Sequence, residues 1–294
     1  MLAVAEREVG TPVLGELRAP ASESWRGRLS LRLERRGERT LVTHREHVGP
    51  LVVQRPFHPE RDGTCHVYVL HPPGGVVGGD VLELDIEVSP RASALLTTPA
   101  ATKLYRTAGK TARLRQRLSV RAGAALEWLP QETIAFGGTY AKSATEVVLE
   151  PGGAFMGWEI TCLGRPASGD AFESGTLEQS FTLVQAGRPV LVDRLCTEGG
   201  GSLARGVWGW GGRTVYGCFI AANAPPELAR RVREEVRAAA AEELFAVTHV
   251  GGACVCRYLG TSAERARACL GRAWHHAREV LFGKAACPPR IWAT

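Results

Sequence analysis

Oxygen-bearing side chains beside turns are the most chemically suggestive residues in this chain. His71 to Arg106 reads HPPGGVVGGDVLELDIEVSPRASALLTTPAATKLYR, where Gly74, Gly75, Gly78 and Gly79 precede a lone acid, Asp80. Glycine backbones reach φ > 0, so such a turn can hold Asp80 in one direction, as a cation or partner site requires. Thr97, Thr98 and Lys103 follow in the loop TTPAATK, and Glu132, Glu159 and Asp170 are expected in or beside later turns. Surface solvation is the plain reading of each acid taken singly. Together they could line a polar passage, because scattered oxygens and water release a transition metal that a closed thiolate cage would trap. The densest His/Cys set is His58, Cys65, His66 and His71. In the strand-like CHVYVLH, period two puts Cys65 and His71 on one face and His66 on the other, which disfavours a compact metal site there.

Other chemistries lack their residues. The glycine turn is followed neither by Gly-Lys-Ser/Thr nor by a helical pattern, so nucleotide binding is disfavoured. There is no GxSxG and no HExxH, and the eight cysteines contain no CxxC pair. Reduced, mostly buried thiols are expected, with Cys254 and Cys256 sharing a core-facing side of the strand ACVCRYL. The formal net charge of +6 is almost all arginine, interleaved with acids and apolar residues. That surface suits an acidic protein partner better than nucleic acid. No apolar run approaches a membrane span, and the N-terminal segment carries acids where a signal peptide has bases, so a soluble cytoplasmic protein is expected.

Many short alternating runs punctuated by glycine and proline indicate a mainly β chain. Leu29, Leu31 and Leu33 alternate, Arg36-Gly37-Glu38 turns, and Thr40, Val42 and His44 return as a hairpin. Three later units align at a spacing of 30 residues: Ser93, Gly123 and Gly153 coincide, as do Leu96, Leu126 and Met156, and Val88, Leu118 and Val148. Repetition of this kind predicts stacked, β-helix-like (solenoid-like) layers of short strands. If each unit is a hairpin, the loops holding Asp80, Thr97 to Arg106, Gln131 with Glu132, and Arg165 with Asp170 gather at one end. Two α-helices are predicted near the C-terminus. Leu228, Val232 and Val236 form the buried face of the first, with Pro226 near its start. The second carries the stripe Leu270, Trp274, Ala277 and Leu281, a capping box from Thr261 and Glu264, and a stop at Gly283.

Taken with GPLVVQRPFHPE, HPPGGVVGGD, TTPAATKLYR, LEWLPQETIAFGGTY, GRPASGDAF and the terminal PPRIWAT, in that order, the chain resembles the UreD (UreH) family of urease accessory proteins from about Trp25 onward. The resemblance implies one domain over residues 1–294, with 1–24 loosely ordered, and a non-enzymatic chaperone that helps insert nickel into urease. It implies UreF, UreG and the urease apoprotein (UreABC) as partners, with UreE supplying nickel indirectly. GTP hydrolysis would belong to UreG, and no cofactor would be tightly bound, nickel being in transit. Carried over residue by residue, the proposed nickel path of the family falls on Asp80, Thr97, Thr98, Glu132 and Asp170. Position 170 is Asp where the family more often has Glu, and Glu132 lies in PQET where many members read PQP. Lys103 repels a divalent cation, so it is expected to pair with a carboxylate or hold a loop beside the four glycines. Arg290 and Trp292 are candidate partner anchors, although a tail tucked into the core fits equally. Two other readings remain open: a β-solenoid binding module without a metal role, and an enzyme acting on small acidic substrates.

Overall fold

A computed structural model describes residues 24–240 and 243–293 of the chain. The expectation for residues 1–24 lies, except for Ser24, outside the described residues. In chain order the strands are β1 (Arg26–Arg36), β2 (Arg39–Val48), β3 (Val52–Val53), β4 (Cys65–Leu70), β5 (Val81–Val88), β6 (Ser93–Thr97), β7 (Thr102–Leu104), β8 (Ala112–Val120) and β9 (Ala125–Trp128). They continue with β10 (Thr133–Ala135), β11 (Thr139–Leu149), β12 (Ala154–Leu163), β13 (Gly175–Gln185), β14 (Arg188–Glu198), β15 (Val215–Ala222), β16 (Leu244–Val250) and β17 (Ala253–Gly260). A single helical turn, α1 (Ser202–Arg205), precedes the two long helices α2 (Pro226–Ala240) and α3 (Ala263–Phe282).

The strands make two stacked sheets. The first has seven strands in the order β14-β13-β11-β8-β5-β1-β2, and the second has ten, running β16-β17-β15-β12-β9-β6-β4-β3 with β10 paired to the end of β12 and β7 to β10. Each repeating unit sends one strand to each sheet: β5 leads to β6, β8 to β9, and β11 to β12. Equivalent strands of successive units pair in parallel, as in a solenoid. Because every unit turns at the same end, near residues 89–92, 121–124 and 150–153, the connecting loops all gather at the opposite end. The predicted rim of loops therefore exists, but the two strands of a unit face each other across the core and do not pair.

The repeat is also less regular than the aligned sequence implies. Val88 lies opposite Val120, and Val120 opposite Leu149, so the steps are 32 and 29 residues and not 30 twice. With a side-chain period of two, a one-residue slip reverses the face. Val148, aligned with Val88 by sequence, is only half-buried, while Leu149 takes the core position.

Burial follows from the layers. On β5 the pattern alternates strictly, with Leu82, Leu84, Ile86 and Val88 inward and Glu83, Asp85 and Glu87 outward. Arg28–Asp85, Arg32–Glu87 and Arg121–Glu87 pairs cross that outer face, each half-exposed and worth about 0–1 kcal/mol. The second sheet is covered on both faces, so β4, β12 and β15 are apolar almost throughout. Its inner face packs on the first sheet through Leu96, Trp128 and Phe155. Its outer face carries Leu95, Met156, Trp158, Cys254 and Cys256 against α2 and α3. Leu228, Val232 and Val236 are the fully buried stripe of α2. Burying such side chains contributes about 1.5–3 kcal/mol each, which outweighs the surface ion pairs. Helix α3 starts one residue later than predicted. Ser262 is the N-cap, its side chain accepting from the Arg265 N–H, while Thr261 donates to Glu243. Gly283 ends the helix at φ +63°, as expected. In the N-terminal hairpin a bulge between Arg32 and Leu33 leaves His44 exposed.

Candidate functional site: a polar cavity between the sheets

The inward positions of the parallel strands are apolar near the turns and polar toward the loop end. Leu84 on β5 lies opposite Gln116 on β8, and Gln116 opposite Thr145 on β11. Gln179 of β13 lies opposite Ser143. Across the gap, β12 offers Glu159 and Thr161 on the same face as Phe155. These side chains bond across the sheets. Thr145 Oγ1 donates to Glu159 Oε1 at 2.6 Å and lies 3.0 Å from Gln116 Oε1, and Thr161 Oγ1 donates to Gln179 Oε1 at 2.8 Å.

Packing polar groups there leaves a cavity of about 210 Å³, whose lining includes His71, Thr98, Lys103, Gln131, Gln116 and Glu159. A smaller void of about 20 Å³, room for about one water, continues from Glu159, Trp128 and Gln179 to Asp193, Tyr216 and Cys218. Trp128 Nε1 lines this route and has no hydrogen-bond partner among the described residues. At the far end Asp193 accepts from Tyr216 Oη at 3.0 Å and from Arg257 at 3.1 Å.

Glu159 is the electrostatic centre of this space. Burial pushes its carboxyl up to about 7; the Thr145 hydrogen bond opposes the rise and the Asp193 charge adds to it. No lysine or arginine pairs with it among the described residues. A carboxyl that titrates near neutral pH with no cation partner can exchange a proton for a metal ion. Glu159 lies inside β12 and not in a turn, because the register of the third unit carries GWEI into the strand.

The residues marked in the sequence take several places. Thr98, Lys103 and Gly74 line the cavity, and Thr98 Oγ1 also accepts from the Gln131 N–H. Lys103 is exposed and has no ion-pair partner among the described residues, so of the two expectations for it, pairing with a carboxylate or holding a loop, the first is not met there. Asp80 is buried behind the rim. One of its oxygens accepts from the Trp25 N–H at 2.9 Å and the other from the Val77 N–H at 3.0 Å, so it fastens the turn ahead of β5. Its charge also raises the affinity of His71 for a proton, although burial acts more strongly and leaves His71 below the ordinary histidine value. Two of the four glycines, Gly74 and Gly79, have positive φ (+74° and +97°). Gly75 and Gly78 do not; a Cβ on Gly75 would run into the Tyr105 ring, so close approach and not backbone freedom requires it.

Thr97, Glu132 and Asp170 are not on the cavity wall. Thr97 points to the helix layer, donating to the Leu129 carbonyl and accepting from Trp292 Nε1 at 2.9 Å. Glu132 pairs with Arg267 of α3. Asp170 accepts from the Gly137 and Phe172 N–H groups and sits 3.6 Å from Arg165 Nε, which ties consecutive loops together. Trp292 is tucked against Trp158 and Trp274, whereas Arg290 is exposed. The rim thus collects the acids of the loops, but Asp80 fastens its own turn, Asp170 ties two loops and Glu132 ties a loop to α3, while the passage is lined by strand residues such as Gln116 and Glu159 and by the loop residues His71, Thr98 and Gln131.

Comparison with known proteins fits this architecture. The family model described as UreD urease accessory protein matches residues 26–293. Three proteins called urease accessory protein UreD are similar throughout. That of Alkalilimnicola ehrlichii is 42% identical over 276 residues, covering 94% of this chain and 94% of the relative. Those of Pseudomonas putida strain W619 and Azoarcus sp. strain BH72 are each 43% identical, covering 92% and 96% of this chain and 95% and 99% of the relatives. No helix among the described residues is long and apolar enough to cross a membrane. A stack of parallel two-sheet units with a polar interior, matched over nearly its full length, places this chain in the UreD family of urease accessory proteins.

Proposed function

We propose that the chain is a non-enzymatic scaffold of urease maturation, working in the cytoplasm, that passes nickel through the cavity between its sheets. The single observation that carries this reading is Glu159, a half-buried carboxyl with no cation partner among the described residues, on the wall of a polar passage. Thr98 and His71 supply further ligand atoms near the loop end. None of these binds tightly enough alone to trap the ion, which suits handover. Lys103 at the mouth opposes retention of a cation there. Asp80, Glu132 and Asp170 act one step back, holding the loops whose geometry defines the mouth, and the Asp80 charge favours a cation near His71. UreF, UreG and the urease apoprotein are the partners of this scaffold, with UreE upstream and GTP hydrolysis in UreG.

The test is nickel loading. In cells whose only copy carries Glu159→Gln, urease should be assembled but contain several-fold less nickel per active site, while the variant still co-purifies with UreF and urease. Normal nickel content in that strain would remove Glu159 from the route. Full urease activity after deletion of the gene would remove the scaffold role itself.

A further inference from the structure

The second face of the second sheet holds a set of metal-ligand atoms separate from the passage. We propose that Glu60, His66 and Cys287 form a binding site for one borderline divalent cation of the zinc, cobalt or nickel class, which clips the C-terminal segment to the sheet. One ligand atom from each residue lies within 4.8 Å of the others. The three come from different parts of the chain: the loop before β4, β4 itself, and the segment after α3.

Imidazole, thiolate and carboxylate together are a donor set for such ions, not for calcium or magnesium. His66 is fully buried, its Nε2 is 2.9 Å from Glu60 Oε1, and its Nδ1 has no hydrogen-bond partner among the described residues. A buried imidazole so placed has one nitrogen committed to the acid and one uncommitted. Cys287 is only half-buried, which gives an ion a way in from the surface.

The surrounding charges favour a cation. Three acids, Glu60, Asp62 and Glu127, face two bases, Arg278 and Lys284, a formal excess of one negative charge. Arg278 is fully buried and holds Glu60 by two 2.8 Å bonds from one nitrogen and Glu127 through Nε at 2.9 Å. Lys284 is nearer Asp62 (2.6 Å) than Glu60 (3.3 Å). Binding of M²⁺ with loss of the Cys287 thiol proton to solvent brings the cluster to formal neutrality: M²⁺ balances Glu60 and the thiolate, Arg278 balances Glu127, and Lys284 balances Asp62. A carboxylate has about four lone-pair positions, so Glu60 can keep Arg278 while its His66-facing oxygen turns to the metal.

Cobalt gives a direct readout, because a thiolate bound to Co²⁺ produces a near-ultraviolet charge-transfer band. The full chain, stripped with chelator and titrated with Co²⁺ alone, should show this band with one equivalent. Cys287→Ser should abolish the band and weaken Co²⁺ binding at this site at least about 10- to 100-fold. Cys196→Ser, at an exposed cysteine, should leave it unchanged. Glu159→Gln should also leave it unchanged, which separates this site from the passage. Absence of the band in the folded parent chain, or its persistence in Cys287→Ser, would overturn the proposal. Cys287 is near the surface and serine is small, so a thermal melt matching the metal-free parent shows that the variant is folded.

Discussion

Glu127 on β9, fully buried, and Glu159 on β12, half-buried, are carboxylates of neighbouring strands, but they face opposite sides of the second sheet. Glu127 points to the helix layer, where Arg278 and the Trp274 indole donate to it. Burial pushes its carboxyl up, and Arg278 pulls against that rise. Glu159 points into the gap between the sheets, where Thr145 is its one side-chain donor among the described residues. The same residue type in one sheet is thus a structural tie where a cation of the protein neutralises it. Where none does among the described residues, as at Glu159, the carboxyl is instead pushed up to about 7.

The largest expected effect falls on the neutralised side. Glu127→Ala leaves the Arg278 guanidinium, fully buried, with Glu60 as its remaining carboxylate. Breaking a buried pair in this way costs about 3–5 kcal/mol, to be seen in chemical denaturation. The change at Glu159 should have the opposite sign. Its folded-state value is above its unfolded one, so the protein loses stability as pH rises from about 4.5 through about 7. Glu159→Gln should therefore match the parent below about pH 4.5 and exceed it by up to about 3 kcal/mol at pH 8. A stability difference independent of pH would show that Glu159 is neutralised after all. A smaller effect is expected from Ser262→Ala, which removes the α3 cap and should cost about 1 kcal/mol at any pH. The smallest is Thr145→Val. Removing the hydroxyl that favours ionised Glu159 should move its titration upward by about one unit or less, with little change in unfolding midpoint at acid pH.

Sequence patterns gave the layers because alternation and helical spacing are local. Leu29, Leu31 and Leu33, the α2 stripe and the Gly283 stop lie where the residue types require. The loop rim followed from repetition alone. Register did not, because the steps of 32 and 29 residues differ by small insertions that an alignment at 30 averages away. That error moved Val148 to the wrong face and hid the position of Glu159 inside β12. Thr97 was legible as a loop-end threonine but not as the acceptor for Trp292, since nothing local links residues 195 positions apart. Asp80 was singled out correctly as a fixed acid, yet what fixes it is backbone N–H groups, which no side-chain pattern records. The Glu60, His66 and Cys287 set was invisible for the same reason. Sequence proximity pointed to His58, Cys65 and His71, and the fold sends Cys65 into the inter-sheet core and His58 to the Thr40 carbonyl.

The account turns on whether Glu159 is an un-neutralised carboxyl open to a cation, and carbon-detected NMR of the labelled side chain can follow its titration directly. A midpoint near pH 7 that moves down on addition of Ni²⁺ is the predicted result. A midpoint near 4.5, or one near 7 that Ni²⁺ leaves in place, would contradict it.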